Sequence, residues 1–441
     1  MREIFSEENR LKTMVKVELA LLEGLAHAGL IPSSAIRNLN VTFNKDDIVR
    51  VREVEKEIKH ETAALVKVLS EKNGEAGKFI HLGATSNDII DTTWSLIIKE
   101  ALQVIENKIV TLLRHLLELA DKHLDTIMIG RTHGQHALPI TLGFKIMNHA
   151  YEIAQCLERL IESHKRLFVL KMSGAVGTMA AWGNKGLLIE EYVAKKLGLA
   201  SIKITTQVYS RDRFAELLCN LAILGSVLDR LATEIRNLQR PEIMELSEPF
   251  KEKQVGSSTM PHKANPVQCE KVTGLARFLR GLCSSSLENI VLWHERDLSN
   301  SSYERVTIPH AFLAIDEILE IMTSVIKDLK VYAENMRRNL ELSKDKIMAE
   351  ALMVKLTLKG VPRNRAYTHL RELTRKSIET GKTLKEIALE DPYITSILSR
   401  NEIMECFDYE KYLGAYREIC RRTKDYILEL INKYSNCWQM N

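Results

Sequence analysis

The stretch TTWSLIIKEALQVIENKIVTLLRHLLELAD, residues 92–121, decides the fold class of this chain. It contains no Gly or Pro, and its apolar residues recur every three or four positions. Residues at that spacing share one face of a helix, so the pattern predicts one long amphipathic helix. The apolar positions are Ile98, Leu102, Ile105, Ile109, Leu112, Leu113, Leu116 and Leu117.

Two further segments carry the same helical pattern. The first covers about residues 212–240 and stops before Pro241, and the second covers about residues 306–329. Strand patterns are scarce, and the best candidates, residues 126–128 and 203–205, are too short to build a sheet. We therefore predict an all-α fold around an elongated helical bundle.

The length of the chain predicts more than one domain. At 441 residues it exceeds the size at which a single hydrophobic core stops growing. A change of composition around residues 335–344 begins a more charged region of shorter helices, which we interpret as a separate small domain.

The charge balance and the apolar runs limit the possible partners. Lys and Arg number 62 and Asp and Glu 58, which argues against nucleic-acid binding through a large basic face. The first ten residues mix both charge signs, and no apolar run is long enough to cross a bilayer. We expect neither nucleic acid nor a membrane as a partner.

The cysteines predict neither a zinc site nor a disulfide scaffold. Their number is odd, they are scattered, and no C-x-x-C pair occurs, so we expect a cytoplasmic protein. They are Cys156, Cys219, Cys269, Cys283, Cys406, Cys420 and Cys437.

The segment GSSTMPHKANP, residues 256–266, is a candidate for a chemically active loop. A serine acts as a base only if its alkoxide is stabilised, and a lysine with a row of backbone N–H groups supplies such a field. Ser257 or Ser258 beside Lys263 meets this need. The composition alone favours a solvated loop without chemistry.

The segment GRTHGQHALP, residues 130–139, places His133 and His136 three positions apart. Neither an H-E-x-x-H pattern nor clustered cysteines accompany them, so we expect no metal site. Either histidine could protonate a leaving nitrogen, because imidazole titrates near neutrality. Either could equally be a packed or capping residue.

Two earlier segments, KHETAALVKVL at residues 59–69 and HLGATSNDIIDT at residues 81–92, also contain histidines. Thr85, Ser86 and Asn87 stand just before an apolar helix, where hydroxyls and N–H groups can hold a carboxylate or a phosphate. An ordinary helix N-cap is the alternative.

The segment LWHERDLSNSSYER, residues 292–305, combines arginines with hydroxyls. Arg296 and Arg305 suit an anion, because a guanidinium binds carboxylate and phosphate with two donors. A solvated salt-bridge face is the competing interpretation.

Taken together and in this order, these segments resemble the adenylosuccinate lyases of the fumarase/aspartase superfamily. The segments SGAVGT at residues 173–178 and TTQVYSRDR at residues 205–213 belong to the same resemblance, which covers nearly the whole chain. It implies an all-α protomer of three domains, which we place at residues 1–91, 92–335 and 336–441.

The resemblance also implies a homotetramer with each active site built from three subunits. Its substrates would be the phosphorylated succinyl-nucleotides adenylosuccinate and its imidazole-carboxamide counterpart in purine synthesis, each losing fumarate. No cofactor is implied.

The resemblance assigns the chemistry by position. Ser257, with Ser258 as the alternative, corresponds to the base that removes a proton beside a succinyl carboxylate. His133 corresponds to the acid that protonates the departing nitrogen, and Glu270 to the carboxylate that orients it. Lys263 and Asn265 correspond to groups that hold the dianionic intermediate.

The remaining assignments concern the substrate. They are His60 and His81 as substrate-contacting and catalytic histidines, Thr85 and Ser86 as carboxylate contacts, Gln207 as a polar contact, and Arg296, Ser301 and Arg305 as nucleotide and phosphate contacts.

The chain departs from the family pattern near the phosphate. An Arg-Tyr pair that commonly precedes this point in the family has no counterpart, so we expect Lys59 or Arg10 to assist unless the reading frame begins upstream. Lys59 replaces a usual arginine and Glu61 a usual aspartate, which keeps the charges but alters their reach.

Two rival functions remain. A carboxymuconate cycloisomerase can also carry MPHK in this loop, and a structural member of the superfamily could keep the tetramer without catalysis. The arginines of residues 292–305 and His60 favour a phosphorylated ligand, and intact Ser257, Lys263 and Glu270 favour an active enzyme.

Overall fold

The computed structural model describes residues 1–37, 39–250, 253–254 and 256–439, except the side chains of Asn436, Cys437 and Gln439. Helices dominate these residues and the strands are short, which confirms the all-α fold class. The first helices are α1 (Glu7–His27), α2 (Lys45–Ile58), α3 (Glu61–Lys72), α4 (Gly74–Gly77) and α5 (Ser86–Lys122). The bundle continues with α6 (Leu142–Leu167), α7 (Gly186–Leu197), α8 (Asp212–Leu238), α9 (Val267–Glu288) and α10 (Ser299–Lys327).

The predicted long helix is confirmed as part of α5. Thr85 and Asp88 form a capping box at its start, in which the Thr85 backbone N–H donates to Asp88 Oδ2 at 2.7 Å. The apolar positions of residues 92–121 that define the pattern are buried, since they face the other bundle helices. The core therefore lies along α5.

The other two predicted helices are also confirmed, as α8 and α10. α10 begins seven residues before the predicted start. The pattern did not reveal this start, because polar Asn300 and Glu304 occupy its buried positions. Asp297 holds the first turn, where its Oδ1 accepts the Ser299 backbone N–H at 2.7 Å.

Helices α8 and α9 lie side by side in opposite directions. At one end of the pair, Gln239 at the end of α8 donates to the Ala264 carbonyl just before α9. At the other end, Asn289 at the end of α9 donates to Glu304, and Glu304 pairs with Arg211 at the start of α8. A Cβ on Gly225 would lie 2.7 Å from Leu279 Cδ1, so a larger residue there would require the Leu279 side chain to shift.

The strands pair only in twos. β1 (Ile127–Thr132) and β2 (Gln135–Thr141) form an antiparallel hairpin, which extends the strand predicted at residues 126–128. The strand predicted at residues 203–205 is wrong. The nearby strand is the two-residue β4 (Ala200–Ser201), which pairs in parallel with β3 (Val169–Leu170), and β5 (Leu246–Ser247) pairs with β6 (Lys330–Val331).

The C-terminal part contains shorter helices. Residues 340–409 enclose a small apolar core of their own, to which Ile129 of the hairpin contributes. α17 instead returns to the bundle, where Tyr426 Oη donates to Glu158 of α6 at 3.0 Å. The helices are α11 (Ala333–Glu341), α12 (Ala349–Leu358), α13 (Arg363–Thr380), α14 (Leu384–Glu390), α15 (Pro392–Ile397), α16 (Arg400–Cys406) and α17 (Tyr416–Gln439). The three-domain boundaries stay a prediction.

Within the described ranges, no helix is both long and apolar enough to span a membrane.

Candidate active site

The predicted site residues gather at opposite ends of the bundle. One group surrounds Arg211, at the start of α8, and we call this the Arg211 end. The other group lies near Gln239, at the far end of α8, beside the β1–β2 hairpin, and we call this the hairpin end. A helix of 27 residues is about 40 Å long, so one chain keeps the two groups about that far apart.

The Arg211 end is organised around a buried ion network. The Arg211 guanidinium donates from its two Nη atoms to the two oxygens of Asp91, each at 2.9 Å, and also pairs with Glu304. Burial alone would lower the pKa of Arg211, but the two carboxylates raise it above its usual value. The network ties the starts of α5, α8 and α10 together.

His81 lies beside the start of α5 and is held by Glu18 of α1. Its Nδ1 is 2.7 Å from Glu18 Oε1, and Glu18 is fully buried. Burial opposes the charged imidazole, but the hydrogen bond and the charge of Glu18, with that of Asp88, outweigh it and raise the pKa of His81. The charged imidazolium of His81 is thus favoured. It lies close to Thr85 and Ser86 in the sequence, where it can attract a bound anion.

Thr85 itself is a helix N-cap, as the structural alternative for this segment predicted. The same is true of His60, whose Nδ1 accepts the Ala63 backbone N–H at 3.2 Å and so caps α3. Lys59 precedes it in the left-handed conformation, with φ of 56°. The His60 ring is exposed, so its capping role leaves Nε2 accessible to a ligand.

Glu61 joins two arginines from different elements. It pairs with Arg10 of α1 and, at 3.3 Å, with Arg305 of α10. Burial would raise the pKa of Glu61, but Arg10 and then Arg305 lower it. Arg10 and Arg305, both suggested from the sequence as phosphate contacts, therefore lie around one carboxylate.

Arg296 and Gln207 also meet at this end. Arg296 Nη1 donates to Gln207 Oε1 at 3.1 Å, while the buried Arg296 Nε has no hydrogen-bond partner among the described residues. Ser301 lies half-buried in the first turn of α10, five residues further on. A guanidinium with an unused donor is suited to bind an anion.

The hairpin places His133 at its tip. Thr132 pairs with Gln135, so His133 and Gly134 form a two-residue turn, and both have positive φ, 55° and 72°. This is the type I′ geometry that tight hairpins favour. Among the described residues, no side-chain hydrogen bond or ion pair holds the exposed His133 ring.

The neighbouring histidine is engaged instead. His136 Nδ1 is 2.7 Å from Ser343 Oγ, which links the hairpin to the C-terminal part. Burial and then Arg131 lower the pKa of His136. Arg131 makes a two-donor pair with the buried Glu245, at 2.7 and 2.9 Å. Of the two histidines, His133 is the one available to a substrate.

The loop of residues 256–266 surrounds Ser257 with donors. Ser257 Oγ accepts the backbone N–H groups of Thr259 and Met260, at 3.3 and 3.1 Å. Ser258 is exposed, and its hydroxyl makes no hydrogen bond with the described residues. Two convergent N–H groups stabilise negative charge on an oxygen. This geometry therefore favours Ser257 over Ser258 as the base.

The same loop is closed by Asn265 and Gly256. Asn265 Nδ2 donates to the Gly256 carbonyl at 3.0 Å. A Cβ on Gly256 would lie 2.2 Å from the Lys263 carbonyl oxygen, so only glycine allows this approach. Lys263 and, on the first turn of α9, Glu270 are exposed. Within the described residues, no hydrogen bond joins Glu270 to His133.

Two protein families match this chain. The family described as "Lyase" matches residues 1–281, and the one described as "Adenylosuccinate lyase C-terminus" matches residues 346–423. Adenylosuccinate lyase from Pyrococcus abyssi is 48% identical over 98% of this chain and 96% of its own length. The enzyme from Methanothermobacter thermautotrophicus is 45% identical over 96% and 95%.

The chain belongs to the adenylosuccinate lyase family. It is therefore a lyase. The similarity extends over the loop, the hairpin and both ends of α8, because it covers nearly the whole chain.

Solved structures agree on the fold. A fumarate lyase from Mesorhizobium sp. BNC1 superimposes with a TM-score of 0.87 at 31% identity, covering 96% of each chain. A 3-carboxy-cis,cis-muconate lactonizing enzyme from Pseudomonas putida gives 0.85 at 30%, covering 98% of this chain and 97% of that one. Proteins with other names thus share this bundle. The higher sequence identity, 48% against 30–31%, places the chain with the adenylosuccinate lyases.

Several residues that hold the candidate site together were not identified from the sequence. Asp91, Arg211 and Glu304 lie inside the motifs quoted above, but nothing in one sequence shows that they meet. Glu18 lies in an unremarkable helical stretch. Glu248 is a further case, since it accepts the backbone N–H groups of Gln268 and Cys269 and caps α9 just after the loop.

Proposed function

We propose that the chain cleaves adenylosuccinate into AMP and fumarate, and its imidazole-carboxamide counterpart in the same way, as a cytoplasmic enzyme of purine biosynthesis. The observation that carries this proposal is the pair of backbone donors on Ser257 Oγ, in a chain that is 48% identical to adenylosuccinate lyase. They increase the population of the Ser257 alkoxide, the form that can take up a proton, because they stabilise its negative charge.

The reaction begins at the carbon next to a succinyl carboxylate. The Ser257 alkoxide takes the proton from this carbon and becomes a hydroxyl, and the electron pair of the C–H bond moves into the carboxylate to form a dianionic intermediate. Lys263 and the N–H groups of the loop stabilise this charge, and Asn265 can offer its second amide hydrogen while the first holds Gly256.

The carbon–nitrogen bond breaks in the second step. The electron pair returns to form the double bond of fumarate, and the departing nitrogen takes a proton from His133. A protonated His133 is required, and Glu270 is the carboxylate that we assign to hold it so. The hairpin tip suits this function, because none of the described residues forms a side-chain hydrogen bond or ion pair with the His133 ring.

The nucleotide binds through the Arg211 end. His81, Arg296 and Arg305 supply positive charge there, and Thr85, Ser86 and Ser301 supply hydroxyls. Phosphate and carboxylate groups both bind such sets. This cluster favours a phosphorylated substrate over the carboxylate substrate of a cycloisomerase. The cycloisomerase is the rival function because it has the same fold.

A complete site needs more than one chain. Ser257 and His60 belong to opposite ends of a bundle that is about 40 Å long, whereas both must touch one small substrate. We therefore propose a homotetramer in which neighbouring chains bring the hairpin end of one to the Arg211 end of another. Closed symmetry makes every site alike.

Mixed oligomers test this arrangement together with the activity. Ser257→Ala and His60→Asn chains, with different affinity tags, are co-expressed, and oligomers carrying both tags are isolated. Each parent should release little fumarate from adenylosuccinate. The mixture should recover about a quarter of the wild-type activity. With random assembly, about a quarter of the sites formed between two chains receive a native Ser257 from one chain and a native His60 from the other.

The His60→Asn change is chosen because asparagine also caps helices. A mixture of Ser257→Ala with Lys263→Ala is the matched control, and it should stay inactive, since both residues lie on one loop. Recovery in the control, or none in the first mixture, contradicts shared sites. Wild-type protein that releases no fumarate contradicts the proposed reaction itself.

A further inference from the structure

Two cysteines that are far apart in the sequence meet on the packed pair α8 and α9. Cys219 lies in the second turn of α8 and Cys283 near the end of α9. Their Sγ atoms are 2.8 Å apart. The spacing of 64 positions gives no sign of this in the sequence, which is why the cysteines predicted no disulfide.

The distance is informative about what the two sulfurs can do. Non-bonded carbon atoms reach their most favourable separation at about 3.5–4.0 Å and sulfur is larger than carbon, so two separate thiols are crowded at 2.8 Å. A covalent bond relieves the crowding, because bonded sulfurs lie about 2.05 Å apart. In the described part of the chain, Cys156, Cys269, Cys406 and Cys420 have no such neighbour.

In the single chain, the cysteine pair is open to reagents from one side. Both cysteines are half-buried and line a surface cleft of about 580 Å³ between α6, α8 and α9. Arg280, Ser226 and Ala222 line the same cleft. Neither cysteine belongs to the residues of the proposed reaction.

We propose that Cys219 and Cys283 form an intramolecular disulfide. A small disulfide such as oxidised glutathione is the oxidant. One protein thiolate attacks it, which forms a mixed disulfide and releases one small thiolate. The second protein thiolate then attacks the mixed disulfide at the protein sulfur and releases the other. The protein loses two electrons and two protons, and the two released thiolates take up the protons.

The cross-link acts on the segment that carries the catalytic loop. It closes a ring that contains residues 220–282, and therefore residues 256–266 and Glu270. Joining residues so far apart in sequence restricts the unfolded chain strongly, which stabilises the folded one. The bond would hold α8 and α9 together near the Arg211 end, while the loop at the hairpin end keeps its conformation.

Burial and the neighbouring sulfur set the rate. Burial, together with the hydrogen bond to Cys283, raises the pKa of Cys219 to about 11, so few thiolates exist at neutral pH. Since the thiolate is the attacking form, oxidation should become faster as the pH rises towards that value.

Peptide mapping tests the bond directly. The folded, fully reduced protein is incubated without oxygen with oxidised glutathione at mildly alkaline pH, alkylated and digested with trypsin. The sequence predicts one linked pair, residues 214–230 with residues 281–296. This linked pair should occur in wild type and in the control Cys156→Ala, and it should be absent from Cys219→Ala. Before digestion, the oxidised protein should migrate as a single chain.

A stability measurement accompanies the mapping. Oxidation should slow thermal inactivation of the wild type and of Cys156→Ala several-fold, leave Cys219→Ala unchanged, and be reversed by dithiothreitol. The proposal is overturned if the two peptides are recovered separately, alkylated or carrying glutathione. It is equally overturned if the link joins two chains, or if oxidation leaves the inactivation rate of the wild type unchanged.

Discussion

The two ends of the bundle differ in how their polar groups are held. At the Arg211 end, His81, Glu61 and Arg296 each have a partner within the chain, and the central Arg211 is buried between two carboxylates. At the hairpin end, His133, Lys263 and Glu270 are exposed. One chain thus holds in place the groups that we assign to binding. The groups that we assign to chemistry stay open to contacts of the kind that the proposed homotetramer would supply.

The physical reason is the cost of uncompensated charge. Buried charges must be paired, so a chain can bury Arg211 only with Asp91 and Glu304 in place. Exposed groups carry no such requirement, because water solvates them. The comparison therefore predicts that substitutions in the buried ion network of the Arg211 end change stability, whereas substitutions of the exposed groups at the hairpin end change catalysis.

The largest expected effect is on catalysis at the hairpin end. Ser257→Ala should lower kcat for fumarate release by about 10²–10⁴-fold, the usual contribution of a general base. The melting temperature should stay near that of wild type, since the side chain is half-buried and only accepts hydrogen bonds. Ser284→Ala, an exposed serine on α9, is the control. A larger loss of kcat in Ser258→Ala than in Ser257→Ala would reverse the assignment.

The largest effect on stability is expected at the Arg211 end. Arg211→Met leaves Asp91 and Glu304 buried without their cation, and should cost about 3–5 kcal/mol of unfolding free energy. Urea denaturation of the assembled protein at fixed concentration measures it. A loss below about 1 kcal/mol, the range of exposed pairs, would show that the network contributes little.

A pH-dependent effect comes next, at His81. Its pKa is raised in the folded protein, so the charged ring contributes stability fully below the ordinary histidine pKa of about 6.5 and loses it as the pH rises through the folded value. Substrate binding should weaken over the same interval, seen as a rise in KM with kcat little changed. Glu18→Gln removes the charge that raises the pKa, so the rise in KM should begin at lower pH.

The matched control for Glu18→Gln is Glu23→Gln on the same helix. Glu23 pairs with Lys196 near the surface rather than with a histidine. Its pH profile of KM should follow that of wild type. An unchanged profile in Glu18→Gln would mean that Glu18 does not set the charge of His81.

The smallest effect is expected away from both ends. Glu418→Gln removes an exposed pair with Arg421 on α17, at 2.7 Å. Exposed pairs three or four positions apart on a helix contribute about 0.3–0.5 kcal/mol, so urea denaturation should show a change of that size. A much larger loss would mean that the surface pairs also hold the fold.

The sequence predicts those elements whose pattern is visible among residues that are close together along the chain. α5 and α8 were predicted because one face of each is apolar over many turns, and a periodic pattern is visible in a single chain. The early start of α10 was missed because Asn300 and Glu304 face inward with polar groups. The hairpin was found only in part, because a tight turn at His133 and Gly134 does not require apolar alternation.

The sequence by itself determined the fold class and, through its motifs and its similarity to known adenylosuccinate lyases, the family and the candidate residues. Only the tertiary structure decided how they are distributed: His136 is engaged by Ser343 while His133 is exposed, two N–H groups distinguish Ser257 from Ser258, and α8 separates Ser257 from His60 by the length of the bundle. Helical periodicity and motifs are properties of neighbours along the chain. Pairing, burial and distance depend on which remote residues the fold brings together, as Arg211 with Asp91 and Cys219 with Cys283.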